Sequence, residues 1–259
     1  MFELVPCDDK RYDEYEQLIL RRDALKKEAE GYMHLYIHEF GDLIVELLNK
    51  KINCIKKKRM IAFCQRHANR GERVNMKELD EYIKAETEEY NKKLAEMTEK
   101  NEMCKQFRTL PEDEVLIIKQ LYRSIAKKLH PDINPLTAVD EMLYELWNRV
   151  TLAYNNNDLK AIQELDFLVN KALSEINEGR ITVDIPDISE RIEELGIEID
   201  SITSTDPYRY KYILNDPRLI AEKKTELRSQ IDEYIQYEKE LGEIQQKLMQ
   251  GGVELLWEI

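Results

Sequence analysis

The most specific chemical pattern in the chain lies at residues 121–132, which read LYRSIAKKLHPD. The basic residues in and just before it recur at intervals of four along one side of a helix: Lys119, Arg123 and Lys127, with Lys128 beside them. No acidic residue occurs between residues 115 and 131. This basic side favours an acidic protein partner, because opposite charges guide the encounter between two surfaces.

The three residues that follow the helix could fix the orientation of such a partner. Pro131 has no amide hydrogen and disfavours helical backbone at His130, so the chain must turn out of the helix there. The turn should hold His130 at the exposed helix end. Asp132 can accept hydrogen bonds or pair with a cation on the partner. The pattern therefore predicts a rigid polar corner at the end of a basic helix.

The same corner could instead be catalytic, with His130 and Asp132 as an acid–base pair. A catalytic site needs further groups in defined roles, and the chain shows no second catalytic group, phosphate-binding loop or zinc motif. Cys54, Cys64 and His67 come nearest to a metal-ligand cluster, but a fourth ligand is missing nearby. We therefore expect a binding protein with no catalytic residues, no metal site and no cofactor.

The overall charge disfavours nucleic acid as a partner. The chain of 259 residues has a formal net charge of −13, which repels a phosphate backbone. The basic stretch at residues 56–59 is either a nucleic-acid or anionic-surface patch or a helix side that pairs with acids, and we favour the second interpretation. Neither a membrane-spanning apolar run nor a signal peptide is visible, so we expect a cytoplasmic protein without a membrane partner.

Long helices are predicted before this pattern. Residues 8–31 are helical and highly charged, and the apolar spacing from residue 32 onward predicts a helix that ends near Asn69. Asn75 offers an N-cap for a second helix. Every seventh residue of this helix from 76 to 104 is apolar or aromatic, which suits a coiled-coil seam. Residues 47–71 lack acids and residues 78–102 are rich in Glu, so the two helices should form an antiparallel hairpin.

Three shorter helices are predicted around the His-Pro-Asp corner. A capping-box pattern at residues 109–112 starts the helix that ends at Leu129. A loop with two prolines follows, and Thr137 with Asp140 caps the next helix. A third helix should run over residues 158–178.

The last part of the chain predicts another helical hairpin. Residues 180–186 are a linker with short β-like character, and Asp187 caps the helix after it. Asp216 starts the last long helix, in which every seventh residue from 220 to 248 is apolar or aromatic. The apolar tail at residues 255–257 must dock on the fold or fray.

The residues around the corner resemble a J-domain, the module through which DnaJ-type cochaperones bind DnaK-type (heat-shock-70 class) ATPases. The resemblance covers residues 112–170 and consists of the following residues: Tyr122-Arg123, Ala126, Lys127, Leu129, His130-Pro131-Asp132, Asn134-Pro135 and Ala153-Tyr154. The usual first helix of the family, with its Tyr-x-x-Leu-Gly signature, is missing from this sequence. We expect the end of the helix that leads to Phe107 to take its place.

The resemblance implies an all-α fold with an antiparallel J-domain-like helix hairpin between two long helical, coiled-coil hairpins. The expected domains are residues 1–108, 109–179 and 180–259. It also implies that His130, Pro131 and Asp132 trigger ATP hydrolysis by the partner. Lys119, Tyr122 and Arg123 would form the docking face, assisted by Lys127 and Lys128.

Two functions remain open at this point. The first is a cochaperone whose helical hairpins position a client protein. The second is a coiled-coil scaffold or adaptor with a degenerate J-domain and no chaperone activity. The stripes of every seventh residue could close within one chain or between two chains of a homodimer.

Overall fold

The computed structural model describes residues 3–6, 9–106, 110–176, 180–183, 185, 187–250 and 255–256, and these are nearly all helical. The helices are α1 (Asp9–Arg70), α2 (Met76–Gln106), α3 (Glu112–Leu129), α4 (Pro135–Val139), α5 (Glu141–Asn155), α6 (Leu159–Ile176), α7 (Ile188–Ser204), α8 (Tyr210–Leu214) and α9 (Pro217–Gln250). The short strands are β1 (Glu3–Pro6), β2 (Val74–Asn75), β3 (Arg180–Val183) and β4 (Leu255–Leu256). The expected all-α class is confirmed. None of the described helices is both long and apolar enough to cross a membrane.

The chain divides into two compact units that are not continuous in sequence. One unit combines Met1–Gly31 with Arg108–Arg209, and the other combines Tyr32–Phe107 with Tyr210–Ile259. This division differs from the three consecutive domains expected at 1–108, 109–179 and 180–259. The reason is that α1 continues without a break past Gly31, and its first part packs with α3 instead of with α2.

The main core of the first unit lies between α3, α5 and α6. Its buried residues lie on one side of each helix: Ile118, Tyr122, Ile125, Ala126 and Leu129 from α3, Leu143, Leu146, Trp147, Val150, Ala153 and Tyr154 from α5, and Ile162, Leu165, Val169, Ala172 and Leu173 from α6. Tyr122 stacks on Tyr154, and His130 meets Trp147 edge-on. Because residue numbers rise along α3 as they fall along α5, the two helices are antiparallel.

The first part of α1 completes this unit with a second apolar cluster. Tyr12, Tyr15 and Ile19 are buried against Ile133 in the loop after α3 and against Leu195 of α7. Leu20 of α1 joins the main core. The linker predicted at residues 180–186 has the expected β character, since β3 pairs with β1 in parallel.

The helix starts in this unit differ in detail from the predicted ones. Asn134 caps α4, a turn of helix inside the expected loop, and Asp140 caps α5 by accepting the Leu143 N–H at 2.9 Å. Thr137 is buried within α4 and does not cap α5. Asp187 stands at the N-cap of α7 but makes no side-chain cap hydrogen bond, because its backbone is left-handed with φ 56°. The predicted cap of α3 at Thr109 lies outside the described residues.

The second unit contains the hairpin expected from α1 and α2. Gly71 turns the chain with φ 67°, and Asn75 accepts the Lys77 N–H at 2.9 Å as the N-cap of α2. Arg59 pairs with Glu86 at 3.1 Å. Further along, Asp42 of α1 meets Asn101 and Lys105 of α2, so the helices are antiparallel.

The last helix packs on α1 within this second unit. Leu241 of α9 is buried with Cys54 and Ile61 of α1. Lys50 and Lys57 both pair with Glu238 of α9, so the basic stretch of α1 is only partly matched by α2. The two helices predicted to form the last hairpin belong to different units, in which α7 packs on the first part of α1 and α9 on its later part. Their pairing with each other stays a prediction.

The apolar tail docks in part. Leu255 and Leu256 form β4, which pairs in parallel with β2 at the turn between α1 and α2. Trp257 lies outside the described residues.

Two glycines of α1 provide a matched test of how closely the hairpin is packed. A Cβ on Gly31 would meet nothing within 4 Å, whereas a Cβ on Gly41 would lie 2.1 Å from the Asn101 Oδ1. We expect Gly31→Ala to raise the free energy of unfolding by about 1 kcal/mol, because alanine favours helix over glycine. We expect Gly41→Ala to lower it by about 1–3 kcal/mol, because the buried Asn101 must move. Urea unfolding of both variants checks this, and a stabilised Gly41→Ala variant would contradict the packing described for Asn101.

Candidate partner-binding site

The His-Pro-Asp corner forms because the backbone leaves the helix at His130. His130 has φ −62° and ψ 127°, the extended conformation that a following proline enforces, while its N–H still bonds to Ala126 O at 2.9 Å. The carbonyl of His130 then accepts the N–H groups of Ile133 and Asn134 at 2.9 and 2.7 Å. The corner is thus a closed turn in which the backbone groups are satisfied.

Asn134 fastens this turn to the helices on both sides of it. Its side-chain amide donates to Lys128 O at 2.8 Å, which satisfies a carbonyl at the C-terminal end of α3. Its Oδ1 accepts the Leu136 N–H at 3.1 Å and so caps α4. Asn134 is fully buried, and its two hydrogen bonds hold the corner to α3 and α4.

The imidazole of His130 is buried and oriented on both of its nitrogens. Only 6% of the residue is exposed, whereas the sequence predicted an exposed helix end. The Nδ1 accepts the Asp132 N–H at 3.0 Å, which assigns the proton of the neutral ring to Nε2. The Nε2 lies 3.4 Å from the Asp23 Oδ2, and the ring edge rests on Trp147. Burial and these contacts hold the ring in one orientation.

Asp23 of α1 is the centre of the polar contacts at this corner. Its Oδ2 accepts a hydrogen bond from the Tyr122 hydroxyl at 2.9 Å, and its Oδ1 accepts from the Arg22 guanidinium at 2.8 and 3.0 Å. Burial alone would raise the pKa of the Asp23 carboxyl, but the hydrogen bond from His130 and the charge of Arg22 outweigh it and lower the pKa to about 2. Asp23 is therefore a partly buried anion.

The contacts of α1 extend to both ends of the predicted site. At the corner, the Arg22 Nη1 lies 3.5 Å from the Asp132 Oδ2. Along α3, Lys119 pairs with Glu28 at 3.5 Å, and Lys127 pairs with Glu16. Acids of α1 thus meet cations of α3, and a cation of α1 meets the one acid of the corner.

The register of these contacts shows that the first part of α1 lies antiparallel along α3. The paired residues are Tyr12 with Ile133, Glu16 with Lys127, Asp23 with Tyr122, and Glu28 with Lys119. This stretch of α1 occupies the position next to α3 that was expected for the end of α2. Its position follows from the apolar contacts of Tyr12, Ile19 and Leu20.

Three predicted site residues do not contact α1 in this way. Arg123 is exposed, and no ion pair to it occurs among the described residues. Lys128 donates to the Asn170 Oδ1 of α6 at 2.8 Å, and Pro131 is half-buried. The structure therefore brings five of the predicted residues together against α1: Lys119, Tyr122, Lys127, His130 and Asp132.

A polar cleft of about 250 Å³ remains between α1, α3 and α5. Its lining includes Asp23, Lys27, His130 and Trp147. The Lys27 ammonium lies over the Tyr154 ring, 3.6 Å from its centroid, and donates to the Tyr154 carbonyl. Burial, and next the nearby charge of Lys119, lower the pKa of Lys27 to about 8. The packing between α1 and α5 is therefore polar and incomplete at this point.

The structure offers no metal centre within its described residues, since no group of three His, Cys, Asp or Glu side chains there could hold an ion. Cys54 and Cys64 are both buried, and they belong to separate apolar clusters of the second unit. Burial raises the pKa of both thiols above the ordinary value, which disfavours the thiolate that metals bind.

The sequence did not identify the residues of α1 that complete this site: Glu16, Arg22, Asp23, Lys27 and Glu28. One signal for them was present. Tyr12, Ile19 and Leu20 form an apolar stripe at helical spacing, and Glu16 and Asp23 fall on the same stripe. Acids on the buried side of a helix need cations opposite them, and the basic side of α3 supplies these.

Comparisons of the chain with protein-family models, with curated proteins and with solved structures found no match.

Replacement of Asp23 tests its central position. We expect Asp23→Asn to lower the free energy of unfolding by about 1–3 kcal/mol, because the variant leaves the buried donors of Tyr122 and Arg22 poorly satisfied. Asp13→Asn is the matched control, since Asp13 is exposed on the same helix, and it should change stability by less than about 0.5 kcal/mol. Urea unfolding followed by Trp147 fluorescence, in a Trp257→Phe background, measures the first unit. Equal effects of the two substitutions would contradict the network.

The low pKa of Asp23 predicts a defined loss of stability in acid. The carboxyl binds a proton at about 3.8 in the unfolded chain and at about 2 in the folded one, so its contribution is full above pH 3.8 and is lost as the pH falls towards 2. We expect the stability difference between the wild type and Asp23→Asn to narrow by about 2 kcal/mol over this interval. The exposed Asp13→Asn variant is the control, and the same narrowing for this variant would refute the assignment.

Proposed function

We propose that this protein is a J-domain-type cochaperone that binds a DnaK-type ATPase through α3 and the His130–Asp132 corner and stimulates its ATP hydrolysis. The observation that carries the proposal is the closed His-Pro-Asp turn at the end of a basic helix, packed antiparallel to a second helix. Neither the basic helix nor the turn is catalytic in this proposal. The bound ATPase supplies the catalysis, and the corner acts by contact.

The packing beneath the corner supports the proposal. Residues of the resemblance that have no role in binding lie where they hold the helices together: Ala126 and Leu129 are buried in the core, and Tyr154 stacks on Tyr122 at 3.7 Å between centroids. Asn134 links the corner to α3 and α4. The motif residues thus form one module whose interior supports a polar turn on its surface.

The charge and exposure of α3 also support a docking role. Arg123 is exposed beside Tyr122, and the Asp132 side chain is 43% exposed even with Arg22 next to it. α3 thus presents an exposed cation and the corner after it a partly exposed anion, which suits a partner surface that carries both signs. The α1–α2 hairpin of the second unit is then available to position a client protein.

An adaptor without chaperone activity is the second candidate, and one observation favours it. His130, the expected trigger residue, is only 6% exposed and is engaged by Asp23. In an adaptor, the corner would serve only to fasten α1 to α3. The two candidates make opposite predictions for a DnaK-type ATPase, so one assay separates them.

The decisive assay is single-turnover ATP hydrolysis by a DnaK-type chaperone with and without this protein. A cochaperone should accelerate hydrolysis, and His130→Gln should abolish the acceleration while leaving the helical content unchanged. No acceleration, or the same acceleration by His130→Gln, would support the adaptor and exclude the proposed function.

The exposed cation of α3 allows a separate test of the docking surface. We expect Arg123→Glu to weaken binding to the chaperone by about tenfold at low salt, with a smaller effect at high salt, because salt screens an exposed charge pair. Lys160→Glu is the matched control, with the same change of charge at an exposed position on α6. Titration at two ionic strengths measures both, and equal losses for the two variants would place docking elsewhere.

A further inference from the structure

The docking side of α3, formed by Lys119, Tyr122 and the adjoining His130, is already in contact with another part of the same chain. Glu28 lies against Lys119, Asp23 against Tyr122 and His130, and Arg22 against Asp132. Lys119, Tyr122, His130 and Asp132 thus each meet a group of opposite charge or a hydrogen-bond partner. A protein partner that used the same side chains would need to replace these groups one for one.

Two stretches of α1 are held in different ways within the first unit. Residues 12–20 are anchored by apolar side chains, among which Ile19 is fully buried and Tyr15 nearly so. Among residues 22–31 only Ala29 is buried, and the stretch contacts α3 through ion pairs and hydrogen bonds. The cleft of about 250 Å³ lies beside it. Only the second stretch covers Tyr122, His130 and Lys119.

The polar stretch is the more separable of the two. Its outer pair is well exposed, with 41% of the Lys119 side chain and 37% of the Glu28 side chain accessible, so water and salt compete with it. The inner contacts are hydrogen bonds to Asp23, and a partner with carboxylates could offer the same acceptors to Tyr122 and His130. Because α1 is one continuous helix, this exchange requires its backbone to bend or unwind near residue 21 while the apolar anchor of residues 12–20 stays in place.

We propose that residues 22–31 of α1 are an intramolecular ligand of the docking side of α3 and compete with the partner for it. This inference rests on the proposed function, because the competing partner is the DnaK-type ATPase. The closed form conceals His130 and Tyr122, and the open form presents them. A partner's apparent affinity is then reduced by the fraction of molecules that are closed.

The test weakens the contact between residues 22–31 and α3 by changing the charges that form it. Asp23→Asn with Glu28→Lys removes the central anion and sets a lysine against Lys119. Asp13→Asn with Glu14→Lys is the matched control, because it makes the same two changes at exposed positions of the same helix. Both pairs are made in a Trp257→Phe background, so that acrylamide quenching of Trp147, which lines the cleft beside Asp23 and His130, reports opening.

The expected result has two parts. The Asp23→Asn/Glu28→Lys variant should show greater quenching of Trp147 and should stimulate single-turnover ATP hydrolysis at about a tenfold lower concentration than the wild type. The control variant should match the wild type in both measurements. His130→Gln should abolish stimulation in the opened background as well.

A charge exchange separates opening from unfolding. Glu28→Lys alone should also raise the quenching of Trp147. Adding Lys119→Glu restores the ion pair with its signs reversed, so the quenching should return towards the wild-type value. This variant is judged on quenching alone, since Lys119 belongs to the docking side. If quenching does not recover, the loss of protection came from general destabilisation, and the proposal that these pairs hold the stretch is overturned.

The remaining outcomes distinguish the inference from the function on which it rests. If Trp147 becomes accessible but the wild type and the opened variant stimulate equally through His130, the protein is a cochaperone and the competition is refuted. If Trp147 becomes accessible and neither protein stimulates, the proposed function fails and the inference fails with it. Unchanged quenching in the Asp23→Asn/Glu28→Lys variant also overturns the inference.

Discussion

The His130 corner depends on the hydrogen bonds and ion pairs of the partly buried Asp23 carboxylate. A charge removed from water is costly unless donors surround it, and Asp23 receives them from Tyr122, Arg22 and His130. Through these bonds the carboxylate ties α1 to α3 and orients the imidazole from its Nε2 side. The turn behind His130, closed by Asn134, orients the ring from the other side.

A surface suited to an acidic partner is also suited to an acidic helix of the same chain. The cations of α3 and the donors of the corner carry unused charge and hydrogen-bonding capacity when no partner is present. Glu16, Asp23 and Glu28 use that capacity from within the molecule. In the proposed cochaperone, closure by α1 and docking on the ATPase use one set of side chains, and the strength of the contacts between α1 and α3 sets the balance between the two states.

Local patterns predicted much of the fold, and long-range packing was beyond them. The bounds of α3, the apolar side of α5, the Asn75 cap and the α1–α2 hairpin followed from short-range spacing and capping. Spacing tells that a helix side is apolar, but it does not name the helix that covers it. For that reason the contact of Tyr12 with Ile133, across more than a hundred residues, and the packing of α7 and of α9 on α1 were missed. The same limit hid Asp23, since a charged residue on a charged helix is usually solvated.

Hydrogen exchange is the most direct measurement of the central claim, that α1 and a DnaK-type ATPase share the docking side of α3. Amide exchange is compared for this protein alone and bound to the ATP-loaded chaperone. The account predicts slower exchange at residues 119–132, which become covered by the partner, together with faster exchange at residues 22–31, which are displaced. Protection of both stretches, or no change in either, would contradict it.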